Sequence, residues 1–94
     1  MDELESRIRR ADEAERIWNS PIMVEARAQI EAEILAKFKE CGVRDVDGLA
    51  TIKLMQHVHT LYDRYFKSAL NDGKIARMEL AKKKRLRDHL KWKR

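Results

Sequence analysis

Ile22, Ala26, Ile30, Ile34 and Phe38 follow one another at intervals of four, and Glu25, Arg27, Glu31, Glu33, Lys37 and Lys39 fill much of the surface between them. That arrangement is the signature of an amphipathic helix, whose period brings residues four apart onto one face. Met23, Leu35 and Cys41 widen the apolar stripe, so a helix is expected over residues 21–41, about 31 Å long. A second stripe follows over residues 47–70. Leu54, Val58, Leu61 and Tyr65 alternate steps of four and three, flanked by Met55, Tyr62, Phe66 and Ala69. Two long helices joined by about six residues are expected to fold back as an antiparallel hairpin.

Only three Gly and one Pro interrupt the ninety-four residues. Asn19-Ser20-Pro21 reads as a helix start, with Ser20 as cap and Pro21 at the first helical position. Cys41-Gly42 reads as a helix stop, and Asp45 and Asp47 as caps for the next helix. Asn71-Asp72-Gly73 reads as a further turn. The fold class expected is therefore all-α. A hairpin core spans 21–72, an N-terminal helix lies over 3–18 within an arm of 1–20, and a basic C-terminal helix or tail occupies 73–94. Leu4, Ile8, Ala11 and Trp18 make only a thin stripe, so the arm is expected to dock loosely. The stripe of the last segment, Ile75, Met78, Leu86 and Leu90, is broken by Lys82. That segment is expected to follow the bundle for two turns and then leave it.

A chain of this length is near the lower limit for burying its own core, and such helical chains often complete it by oligomerising. Leu54, Val58, Leu61, Tyr62 and Tyr65 offer more apolar width than one facing helix covers, which marks them as an oligomerisation seam. One cysteine excludes an intrachain disulfide and suits a reducing compartment. The start, Met1-Asp2-Glu3-Leu4-Glu5, is acidic where a secretory leader is basic, and no apolar run is long enough to span a bilayer. An intracellular setting without membrane insertion is expected.

Charge is unevenly spread. Residues 74–94 hold ten Lys/Arg against Glu79 and Asp88, a local charge of +8, while the preceding residues carry −3. Such an end needs an anionic partner or solvent. Lys82, Lys83, Lys84, Arg85 and Arg87 would spread around a helix as a phosphate-tracking element does. Trp92 among Lys91, Lys93 and Arg94 adds an aromatic plane beside cations. Nucleic acid or an acidic protein groove is the expected ligand, without base readout, because lysine contacts to phosphate carry no sequence information.

No reaction is specified. His57 and His59 stand about 200° apart on a helix and cannot share a metal as an i,i+4 pair does. His89 beside Asp88 is a surface pair. Cys41 sits at a helix end, where the negative end of the dipole raises a thiol pKa. Carboxylates alternate with Lys/Arg at helical spacing, as in Glu33–Lys37 and Asp63–Lys67, and read as solvated pairs. There is no Gly-rich phosphate loop. No enzyme, metal or cofactor is expected.

Asn19-Ser20-Pro21, Glu25-Ala26, Ile30-Glu31-Ala32-Glu33, Arg44-Asp45-x-Asp47-Gly48 and Asn71-Asp72-Gly73-Lys74-x-Ala76 resemble a group of small helical proteins of tailed bacteriophages. The genes of that group lie among those for DNA packaging and head assembly. Within that setting the chain is similar to the small terminase subunit. Proteins of that class form rings through a central helical hairpin, bind viral DNA and regulate the large ATPase–nuclease subunit. Many carry an N-terminal helix-turn-helix domain, for which there is no room here. The resemblance implies a non-enzymatic homo-oligomer in the host cytoplasm or associated with the virion. Its partners would be double-stranded DNA, contacted without sequence preference, the large terminase subunit, or both. The alternative is a structural or scaffolding component of the phage head that docks its basic helix on an acidic coat or portal surface.

Overall fold

The computed structural model describes residues 2–92, of Trp92 the backbone alone. The described residues form three helices: α1 (Glu3–Trp18), α2 (Pro21–Glu40) and α3 (Val46–Trp92). The described residues form no strand, and the all-α expectation holds. The two short helices lie one after the other along the same long rod, both antiparallel to it. Trp18 of α1 meets Phe66 and Asp12 meets Arg77, while Glu31 of α2 meets His59. The result is 76 × 25 × 19 Å, with a radius of gyration of 21.0 Å where a compact chain of this length has about 12 Å.

Capping explains the joints. Asp2 accepts a hydrogen bond from the Leu4 amide, and Glu3 and Glu5 complement the positive end of the α1 dipole. Ser20 does two jobs in the two-residue link: its hydroxyl donates to the Ile17 carbonyl at 2.7 Å and accepts from the Met23 amide, with Pro21 at the first helical position as expected. Asp45 caps α3 by accepting from the Gly48 amide at 2.9 Å. Gly42 does not stop α2 in a left-handed conformation, for no residue among those described has a positive φ. The helix ends instead on the extended backbone of Cys41.

The turn expected at Asn71-Asp72-Gly73 does not form. α3 runs through it for forty-seven residues, about 70 Å. The expected hairpin helix and basic C-terminal helix are thus two halves of one rod. Asn and Gly are poor helix formers, together costing roughly 1–2 kcal/mol relative to Ala. Packing at that spot offsets the cost. Gly73 is buried against Ala11, where a side chain on the glycine would collide with the Ala11 methyl, and Asp72 is held by Arg7. Gly73 serves close approach between two helices instead of a turn.

The N-terminal arm is also not loosely docked. Among the described residues, Leu4, Ala11, Ala14 and Trp18 of α1, with Ala69 and Ala76 of α3, are the buried apolar side chains. The thin stripe suffices because the facing stripe, Ala69, Gly73 and Ala76, is made of small residues that let the backbones close in. Ile75 and Met78, the face expected to join the bundle, point elsewhere and are exposed. Half-buried Leu80 is the last α3 residue under cover, so the rod leaves the body after two turns as expected, on a different face.

Candidate nucleic-acid interface and apolar face

From Ala81 to Lys91 every side chain of α3 is exposed, and the rod projects from the body as a cationic arm. Good helix formers (Leu80, Ala81, Lys82, Lys83, Lys84, Arg85 and Leu86) carry the helix outward without tertiary support. Lys82, Lys83, Lys84, Arg85, Arg87 and Lys91 all lie on this arm, and among the described residues none of them forms an ion pair. Trp92 closes the helix, while Lys93 and Arg94 lie outside the described residues.

The cations surround the arm. Lys83, Lys84 and Arg87 share a shallow crevice of about 330 Å³ with Asp2, Glu5 and Leu80, where the start of α1 meets the root of the arm. Lys82 and Arg85 flank a second concavity with Ile75 and Met78 on another side. Cations on all sides of an exposed helix suit contact with backbone phosphates on several strands or turns of an anionic polymer. The four lysines among them reach phosphate as point charges and carry no planar fork; only Arg85 and Arg87 do. Leu86 and Leu90 of the arm continue an exposed apolar row that begins at Ile75 and Met78 before its root and that phosphate contact does not use.

A second unshielded surface lies on the hairpin. α2 buries no residue, although it packs antiparallel to the first half of α3. The helices meet through half-buried Ile34, Ile52, Met55 and His59, with His59 Nε2 3.1 Å from Glu31 Oε1. The α3 stripe read from the sequence stands to one side of that contact. Leu54 (62% exposed), Val58, Leu61, Tyr62 (63%) and Tyr65 are all exposed. Between the helices runs an open groove of about 620 Å³, whose walls include Met23, Ile30, Leu54, Met55, Val58 and Tyr62.

A polar–aromatic knot ties the three helices together. The Trp18 indole stacks on Phe66, with centroids 4.5 Å apart. The Arg27 guanidinium lies 3.6 Å over the other indole face and donates to the Trp18 carbonyl at 2.7 Å. Arg7 Nη2 donates to Asp72 Oδ1 at 2.8 Å and Nε to both carboxylate oxygens at 3.2 Å. These bonds hold the Asp72 carboxyl below the usual carboxylate range. From sequence Asp72 reads as part of a turn and Arg27 as helix surface; a Trp nine residues before an Arg across a short link is the signal available for the second.

Of the pairs expected on helix surfaces, Asp63–Lys67 forms, at 2.8 Å. Among the described residues no group of three metal-ligating side chains converges, and His57 is exposed while His59 turns toward α2. The Cys41 thiol pKa is raised, as expected, with burial first and the Asp45 carboxylate adding to it by charge and hydrogen bond. No described helix is long and apolar enough to cross a membrane. Comparison with protein-family models, with curated proteins and with solved structures finds no match to this chain.

Proposed function

We propose that this chain is a non-enzymatic DNA-packaging protein of small-terminase type, working in the host cytoplasm. It self-associates through its helical hairpin and holds duplex DNA or the large motor subunit with its basic C-terminus. The observation that carries the reading is the arm: six cations between Lys82 and Lys91, all exposed, on a helix that extends beyond the body. Contact with phosphates at that number releases counterions, so duplex affinity falls by about 10³-fold between 50 and 200 mM salt. Removal of residues 82–94 abolishes binding. A flat salt response, or a truncated chain that binds duplex as well as the full one, removes the DNA part of the proposal.

The alternative, a scaffolding component of the phage head, draws support from the apolar row Ile75, Met78, Leu86 and Leu90 along the same helix. Cations interleaved with apolar side chains suit an acidic protein groove as well as they suit phosphate. Co-purification with an ATPase–nuclease favours the packaging reading. Many copies in proheads, lost on DNA filling, favour the scaffold.

A further inference from the structure

We infer that the first turn of α1 competes with the arm's anionic ligand for Lys84 and Arg87. The Asp12–Arg77 ion pair is one rung of an acid–cation ladder between α1 and α3. Glu5 with Lys84 and Asp2 with Arg87 are the next two rungs, at the root of the arm. The competition rests on the reading above, whereas the ladder belongs to the free chain and is tested without ligand.

Register is the first argument. Trp18 stacks on Phe66, and Ala11, seven residues earlier on α1, meets Gly73, seven residues later on α3. The α1–α3 contact is thus an antiparallel seam with a seven-residue repeat. One more step brings buried Leu4 to Leu80, the last covered residue of the rod. The same step taken from Asp12–Arg77 brings Glu5 to Lys84. Three residues further out along both helices, Asp2 comes to Arg87.

Placement is the second, and it does not depend on that count. Asp2 and Glu5 line the crevice at the root of the arm together with Leu80, Lys83, Lys84 and Arg87. Among the described residues neither outer rung is closed to ion-pair distance, so the cations stand beside the acids and stay exchangeable. Acids in a first turn ordinarily serve the helix dipole, which accounts for Glu3 and Glu5 alike. The dipole does not account for Glu5 facing the cations. Glu3 stands outside the crevice, and its charge bears on Arg7 instead.

The ladder divides the arm. Lys82 and Arg85 lie on another side, beside Ile75 and Met78, away from these carboxylates. They meet a phosphate chain first. Lys84 and Arg87 join as the ligand outcompetes Asp2 and Glu5, an exchange between exposed charges that salt weakens.

The ladder is tested on the free full-length chain by a charge-swap cycle at low salt. Glu5→Lys and Lys84→Glu alone each set like charges across the rung, and the double variant restores the attraction. A coupling of about two- to fivefold in the unfolding equilibrium constant is expected, lost in concentrated salt. Strictly additive effects overturn the ladder.

The competition is tested with a duplex oligonucleotide. Asp2→Asn, which keeps a capping side chain, combined with Glu5→Gln is expected to bind about three- to tenfold more tightly than the parent at low salt. Glu3→Gln combined with Glu33→Gln removes the same charge away from the crevice and is expected to change affinity by less than about twofold. Equal gains in the two double variants, or no gain in the first while the parent binds, overturn the competition. Duplex binding by no variant removes the reading above and the competition with it, while the charge-swap cycle still decides the ladder. All the substituted positions are exposed, and circular dichroism checks that each variant remains helical.

Discussion

Ala11 and Gly73 face each other across the α1–α3 contact so closely that a methyl group on the glycine has no place to go. The opposing atoms are a side-chain carbon and backbone of a buried residue, not the end of a flexible chain. Ala in place of Gly normally gains about 1 kcal/mol in a helix. Here Gly73→Ala is expected to destabilise by about 1–3 kcal/mol net, because overpacking between two backbones outweighs the propensity gain. Urea denaturation followed by circular dichroism reads the sign directly; a stabilised variant refutes the close-packing role.

Trp18 anchors α1 and the α1–α2 link at once. Trp18→Ala is expected to cost about 3–5 kcal/mol, enough to unfold a small domain of marginal stability. Arg27→Met keeps much of the side-chain packing but removes the bond to the Trp18 carbonyl and the cation over the indole. It is expected to be milder, about 1–3 kcal/mol. Equal and negligible effects of both changes on the thermal midpoint contradict the knot.

The Arg7–Asp72 pair sets an acid limit on α1 docking. Asp72 is held below its ordinary range chiefly by the hydrogen bonds from Arg7, against an opposing effect of burial. A lowered folded-state pKa stabilises at pH above the unfolded value of about 3.9 and loses that contribution as pH falls through the lower folded value. Stability is therefore expected to level off above pH 5 as far as this group is concerned, and to fall in acid. Asp72→Asn is expected to lower the plateau and to flatten the acid limb. An unchanged acid limb excludes Asp72 as its source.

Cys41 is expected to react slowly with iodoacetamide near neutral pH, because burial and the neighbouring Asp45 both oppose the thiolate. Asp45→Asn removes the charge and keeps a side chain able to cap α3. Its expected effect is faster alkylation at pH 7–8 with helicity intact. Equal rates in the two proteins assign the slow reaction to burial alone.

The helices were legible in the residues, and the way they pack was only partly so. Spacing at four placed α2, and Ser20-Pro21 and Asp45 placed its start and that of α3, because caps act locally through one or two hydrogen bonds. Gly73 misled because the same absence of a side chain serves a turn and a close helix crossing. Only the partner, Ala11, distinguishes the two, and it lies far away in sequence. Likewise α1 looked weak because its core residues are small; the value of Ala11 and Ala14 depends on a facing stripe that no local pattern reveals. The cationic arm and the apolar row of α3 were both visible, since exposure left each undisturbed by tertiary contacts. That Leu54, Val58 and Tyr65 stand clear of α2 could be seen only once α2 was located, by the Glu31–His59 contact.

An unbroken α3 also has a mechanical meaning. With no turn at Asn71–Gly73, the arm has no swivel at its root. A load on its tip is carried back along one continuous helix to the Trp18 clamp and the hairpin beyond, so handle and shaft turn together.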